Sequence, residues 1–322
     1  MAMPIPPCRI GDDTGDIYTP ALLIDLDKME TNLDKMAGIM RSYPGVKLRP
    51  HAKAHKCAAL ARMQVSHGAV GVCCQTLAEA ETMVNGGIQD VFLSNEIVSD
   101  NKLKTFVWSR AREQKGQLAE KIASLPFLLQ RSPLYNGIIQ HVRSAKEREQ
   151  AVGSVVSLVK QSIAALSTRG IGCEVVTGGG TGTFQYEAGS GIFNEVQPGS
   201  YLIMDVDYSK NLDQDGQFVS DFGQSLYVLT TVISVNDSDA AVVDAGLKAL
   251  NLNCGMPKVL GQPDMEYENA GDEHGILRPS GGLKVGDQVW LIPSHCDPTV
   301  KLYSHMVGVR EGRVQSVWPL SV

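Results

Sequence analysis

From residue 19 onward, short apolar runs alternate with amphipathic stretches, the rhythm of a chain built from βα units. Residues 19–26 read as a strand, and Asp27 is placed to cap a helix to about residue 41 with Met29, Leu33, Met36 and Met40 on one stripe. An apolar approach at 46–48 leads to a strand end at Lys53. A helix at 58–67, a strand at 69–74, a helix at 77–84 closed by Gly86-Gly87, and a strand at 90–94 follow. Such repetition predicts a parallel sheet with right-handed crossovers. Residues 100–170 then read as mostly helical, at 101–114, 117–124 and 145–168, with one short extended candidate at 135–140. Strands resume at 173–177 and 200–205, giving about six where a closed (β/α)8 barrel has eight.

From residue 222 the pattern becomes β-rich, at 226–235, 240–243, 288–292, 305–310 and 314–317, with turn signals at Asn236-Asp237, Gly281-Gly282, Gly286-Asp287 and Glu311-Gly312. The expected architecture is α/β. A barrel-like domain over 18–221, short of two central strands, precedes a mainly antiparallel β domain over 222–322, with segment 1–17 packing on the latter.

Composition narrows the partners. The chain has 322 residues, 43% hydrophobic and 20% charged, with a formal net charge of -6, so no basic field exists to hold nucleic acid or anionic lipid. Its seven cysteines form no even framework and no paired CxxC motif, which fits reduced thiols. No apolar run approaches a membrane span of roughly 20 residues, and residues 1–12 show no apolar core of the length expected of a secretory signal. The expectation is a cytoplasmic protein acting on a small molecule.

Arg49-Pro50-His51-Ala52-Lys53-Ala54-His55-Lys56 is the densest cluster of ionisable side chains and sits at a strand end, where barrels of this kind place reactive groups. A lysine amine is nucleophilic only when part of its population is neutral, which desolvation and neighbouring positive charge favour; Arg49, His51, His55 and Lys56 are the candidate sources of that charge. Two further strand ends offer anion cradles. One is Thr177-Gly178-Gly179-Gly180-Thr181-Gly182-Thr183, the other Gln197-Pro198-Gly199-Ser200-Tyr201. With no Walker lysine and no GxGxxG, neither a P-loop nor a Rossmann site fits. A lysine paired with phosphate cups points to pyridoxal phosphate, which needs an amine for its aldehyde and a cradle for its phosphate. After the strand ending at Ile292 comes Pro293-Ser294-His295-Cys296-Asp297-Pro298-Thr299. Continued extended geometry would put His295 and Asp297 on one face, a donor pair that suits Mn2+ or Mg2+ over Zn2+ with open positions for water or substrate. Asp272-Glu273-His274-Gly275 and Asp244-Ala245-Gly246-Leu247-Lys248 are lesser candidates.

Taken in order with Thr19-Pro20-Ala21-Leu22, these motifs resemble the D-threonine aldolase and D-serine dehydratase family over residues 18–99 and about 170–318. The resemblance implies a fold-type III pyridoxal phosphate lyase, usually a homodimer, with an alanine-racemase-like barrel and a C-terminal β domain. Lys53 would hold the cofactor covalently, with His51 beside it and the residues from Gly178 to Thr183 and Gly199 to Tyr201 around its phosphate. Dehydratases of the family resemble His-x-Cys with zinc and the aldolases His-x-Asp with manganese, so His295 and Asp297 favour cleavage of D-3-hydroxy amino acids to glycine and an aldehyde. The alternatives are a D-serine or D-3-hydroxyaspartate dehydratase, or a truncated relative that binds cofactor without turnover. A Gly-x-x-Arg-Cys-Gly segment is absent, and of a Tyr-His-Gly followed by Gln-His only the end survives, in Gly137-Ile138-Ile139-Gln140-His141. His141 is the candidate replacement for the family's proton acceptor.

Overall fold

The computed structural model describes residues 5–95, 99, 137–236 and 239–320. Strand β1 (Ala21–Asp25) runs directly into helix α1 (Leu26–Met40). Asp25 rather than Asp27 caps this helix, accepting the Lys28 N–H at 3.0 Å; Asp27 lies inside the first turn and pairs with Arg310. Leu26, Met29, Leu33 and Met36 are buried at spacings of three and four, each contributing about 2 kcal/mol by removal from water.

The βα alternation then follows the sequence pattern. It runs through β2 (Lys47–Leu48), a 3-10 turn (Ala52–Ala54), α2 (Ala58–Ser66), β3 (Val72–Cys74), α3 (Leu77–Asn85) and β4 (Val91–Leu93). The helix readings at 101–114 and 117–124 lie outside the described residues. The described part of the 135–140 candidate is not extended but a 3-10 helix, Gly137–His141, followed by α4 (Ala145–Ser167). After β5 (Thr177–Gly178), α5 (Phe184–Gly189) and β6 (Glu195–Val196), the expected strand at 200–205 is instead a 3-10 turn, Ser200–Leu202. A short buried apolar run does not distinguish strand from helix by periodicity alone.

Among the described residues the parallel strands pair β3 with β4, and β2 with β6 with β5. The two sets are joined by the Cys73 N–H to the Pro50 carbonyl at 2.8 Å and the Val70 N–H to the Leu48 carbonyl at 2.9 Å. The combined order is β4-β3-β2-β6-β5, so an early parallel strand lies beside the last one, the wrap-round of a barrel. All three loops carrying candidate cofactor residues leave strands of this arc.

The remaining strands are β7 (Leu226–Asn236), β8 (Ala240–Val243), β9 (Lys258–Val259), β10 (Glu266–Asn269), β11 (Gly275–Arg278), β12 (Gln288–Ile292), β13 (His305–Arg310) and β14 (Arg313–Pro319). The short helix α6 (Cys296–Val300) falls between β12 and β13. Together with β1 these eight strands form a nine-stranded, mostly antiparallel sheet in the order β12-β9-β10-β11-β8-β7-β1-β13-β14, with β12 also pairing β7. Strand β1 therefore joins this sheet, parallel to β13, and is not a member of the barrel arc. The N-terminal segment lies against the β13–β14 hairpin through the Gly11 and Thr14 amides, each 2.9 Å from a carbonyl of Val314 or Gly312. One apolar core spans both parts, from Met36 and Tyr201 to Val243 and Leu291.

Candidate active site

The approach to Lys53 is fixed by a buried guanidinium. Arg49, at the end of β2, ion-pairs with Glu195 on β6 at 2.9 Å and with Asp90 ahead of β4 at 2.8 Å. The 3-10 turn that follows leaves the Lys53 side chain one-third exposed. His51 Nδ1 accepts the Lys53 N–H at 3.4 Å, which assigns the ring proton to Nε2, 3.4 Å from Ser94 Oγ. Burial first, and then the Lys53 charge, push His51 down to about 3. His55 is buried too, its Nδ1 accepting the Cys57 N–H and its Nε2 meeting Gln64 Oε1 at 3.2 Å; burial holds it at about 4. The crowding of positive charge expected around Lys53 is thus largely cancelled: both histidines are neutral, Arg49 is matched by two carboxylates, and Lys56 pairs with Glu79.

The two glycine-containing loops meet this turn. Gln197 donates its N–H to the Gly178 carbonyl at 2.9 Å and its side-chain amide to Thr177 Oγ1 at 2.8 Å. The Tyr201 N–H donates to Thr181 Oγ1 at 3.0 Å, and Gln64 links the Tyr201 hydroxyl back to His55. Gly199 packs so closely that a Cβ there would lie 2.6 Å from the His51 carbonyl oxygen. Gly179 has φ +75°, a conformation that favours glycine. Among the described residues the amides of Thr181 and Ser200 have no protein acceptor, which leaves donors for an anion between the loops.

The metal motif reaches the same lysine. Extended geometry stops at His295, because Cys296–Val300 is helical and the Cys296 N–H is taken by the buried Asp205 carboxylate at 3.0 Å. Asp297 nonetheless comes within 3.1 Å of Lys53 Nζ. Burial raises its pKa, but Lys53 and His295 outweigh that and hold it below the usual carboxylate range. His295 faces Cys254 Sγ at 3.4 Å. Its ring lies edge-on to His141 with centroids 6.3 Å apart. His141 Nδ1 is 2.5 Å from Asp207 Oδ2. Burial would raise Asp207, yet Arg143 and His141 together keep it ionised. Among the described residues no three or more His, Cys, Asp or Glu side chains cluster as a metal cage; His295 and Asp297 are a two-donor pair.

Lys53, Asp297, His295 and His141 are therefore brought together, and His51 and both loops adjoin them. The two lesser motifs pack on each other in the β domain, where Lys248 pairs with Glu273 at 2.5 Å and Asp244 holds Thr19 and Thr230. Asp205, Asp207 and Arg143 carry no recognisable sequence motif. Their partners lie far along the chain, 66 residues in the case of His141 and Asp207.

Two family models match the chain, the putative serine dehydratase domain over residues 225–309 and the alanine racemase N-terminal domain over residues 24–110. It is 35% identical over 366 aligned positions to a 3-hydroxy-D-aspartate aldolase of Paracoccus denitrificans (strain Pd 1222), covering 98% of this chain and 94% of that one. The chain belongs to the D-threonine aldolase and D-serine dehydratase family. A D-threonine aldolase of Arthrobacter sp is also 35% identical, covering 100% of this chain and 96% of its own. The crystal structure of D-threonine aldolase from Filomicrobium marinum superposes with a TM-score of 0.87 at 37% identity, covering 98% of each chain. The protein is accordingly an enzyme of the lyase class with an alanine-racemase-like fold, and pyridoxal phosphate is the cofactor expected of its family. The alignments extend over more positions than this chain's 322 residues, so these relatives carry segments it lacks.

Proposed function

We propose that the protein cleaves D-3-hydroxy amino acids to glycine and an aldehyde, with pyridoxal phosphate on Lys53 and a divalent ion, Mn2+ or Mg2+ before Zn2+, on His295 and Asp297. The observation that carries this reading is the 3.1 Å approach of Lys53 Nζ to Asp297, which makes the cofactor lysine and the metal motif address one space. In the same reading residues 18–221 carry the cofactor and residues 222–322 carry the metal, and the enzyme works as a cytoplasmic homodimer.

The residues fit both groups. The Thr181 and Ser200 amides and the loop hydroxyls would receive the phosphate, and an ionised carboxylate beside an imidazole suits a hard divalent cation. When bound, the cofactor supplies an electron sink for the charge left on the α-carbon. A divalent ion at His295 and Asp297 would polarise the substrate's β-hydroxyl. Asp207, ionised and bound to Nδ1 of His141, fixes the tautomer whose Nε2 has a free lone pair. That nitrogen then accepts the hydroxyl proton as Cα–Cβ cleavage proceeds. His51, neutral and tied to Ser94, contributes shape and a hydrogen bond instead of charge.

Incubation of the cofactor-loaded protein with D-threonine, with and without Mn2+, tests the reading. Glycine and acetaldehyde in equal amounts are expected. A 2-oxo acid and ammonia would make it a dehydratase, and bound cofactor without product under any metal would leave a binding relative without turnover.

A further inference from the structure

Behind the glycine loop lies a carboxyl group that the proposed reaction does not use. Glu187, on α5, is 5% exposed, and its Oε1 accepts the Thr183 hydroxyl at 2.9 Å. Its Oε2 is buried with no hydrogen-bond partner. This orphaned oxygen points at the loop: a Cβ built on Gly179 would lie 3.0 Å from both Cδ and Oε2 of Glu187. The same Thr183 hydroxyl takes the Gln140 amide at 2.8 Å, and Gln140 Oε1 accepts the Gly182 N–H at 2.9 Å. Glu187, Thr183 and Gln140 thus brace the loop from behind, and Gln140 precedes His141 in the chain.

An ionised carboxylate in this position would be buried without a counterion and would face a phosphate dianion across one layer of backbone, two unfavourable terms that add. The charged groups on the elements packed against α5 do not relieve this. Arg148 of α4 gives its terminal nitrogens to backbone carbonyls, Glu149 lies beyond it near Tyr186, and Glu195 of β6 is taken by Arg49. Tyr186 on α5 itself turns its hydroxyl to the Ala145 carbonyl.

We propose that Glu187 is a positioning residue of the phosphate cup that must be protonated for a phosphate dianion to seat, so that cofactor loading takes up one proton from solvent when the carboxyl starts ionised. This rests on the reading of the loop as the cofactor's phosphate site. Burial, partly opposed by the Thr183 hydrogen bond, already moves the carboxyl up to about 7, so the ionised form is populated in the mildly alkaline range. The sign follows: affinity for the phosphate is full below that value and declines above it, by up to about tenfold per pH unit for one proton.

The affinities of the metal-free protein for pyridoxal phosphate and for pyridoxal, measured between pH 7.5 and 8.5, isolate this effect. Their ratio cancels proton changes at Lys53, and the phosphate group, with a second pKa of about 6, is already a dianion throughout. In the wild type the ratio should fall severalfold to tenfold across that interval; in Glu187→Gln, an isosteric neutral side chain, it should stay flat. A flat ratio in the wild type, or the same fall in the variant, overturns the proposal. Titration calorimetry on the wild type in buffers of different ionisation enthalpy gives a second readout independent of the variant's folding. At pH 8 pyridoxal phosphate should take up nearly one more proton than pyridoxal, and equal uptake contradicts the proposal. Failure of the underlying reading looks different: pyridoxal phosphate would then bind no better than pyridoxal even at pH 6.5.

Discussion

At the scale of single residues, the candidate site is organised in part by carboxylates that sequence reading does not single out. Lys53, His295 and Asp297 stand out as candidates in the sequence because each lies in a dense motif at a strand end; Asp207, Arg143 and Glu187 are isolated polar residues whose contacts exist only once distant segments meet. Two substitutions probe this layer. Lys53→Ala should abolish the visible absorbance of the loaded protein, and a surviving band would remove Lys53 from its role. Asp207→Asn keeps the shape but no longer enforces the His141 tautomer, so turnover of D-threonine should fall on the order of 100-fold while cofactor absorbance is retained. Unchanged turnover in that variant would exclude His141 as the proton acceptor. The charge argument for Lys53 reads differently in the folded protein: neighbouring histidines that look cationic in the sequence are neutral because they are buried and hydrogen-bonded.

Among the elements, periodic segments were readable and short ones were not. The antiparallel strands β7, β8, β12, β13 and β14 and helices α1 to α4 stand near where alternation or the 3.6-residue stripe puts them. Strands β9, β10 and β11 have two to four residues with mixed polarity, too few to show a period. Residues 201–204 are apolar and buried on every side, and the stretch opens with a 3-10 turn, Ser200–Leu202, that brings Ser200 and Tyr201 to the proposed cup. Gly199 is the element-level contact that packs this proposed cup against the His51 turn. Gly199→Ala would press a methyl group on the His51 carbonyl, since its φ of -115° is ordinary and the obstacle is steric. A loss of about 1–3 kcal/mol in stability is expected, with weaker pyridoxal phosphate binding; denaturant titration and absorbance titration check the two effects. Full cofactor affinity in Gly199→Ala would show that the close packing of this loop on the His51 turn is not needed for binding.

On the scale of the whole molecule, the barrel arc and the β sheet share one core, and the candidate site lies where the arc's loops meet α6. The two kinds of architecture, a barrel-like α/β part and an antiparallel sheet, were legible in the sequence, but β1 was assigned to the barrel rhythm, because a strand's partner is set by tertiary packing and not by its own pattern. The buried histidines also tie the molecule's stability to pH. With folded values near 3 and 4 for His51 and His55 against about 6.5 unfolded, the unfolded state binds more protons below pH 6.5. Stability is therefore full above that value and lost as pH falls, by about 3 kcal/mol between pH 6.5 and 5 for the pair. Urea titrations at the two pH values measure this, and His55→Gln should remove about half of the difference. Equal loss in the wild type and that variant would place the acid sensitivity elsewhere.

A crystal structure of the protein loaded with pyridoxal phosphate addresses the main assignment most directly. Continuous density from Lys53 Nζ to the cofactor, with the phosphate seated between residues 178–183 and 199–201 and Asp297 released from the lysine, is the expected result. Cofactor joined to a different lysine, or a phosphate seated away from both loops, would contradict it.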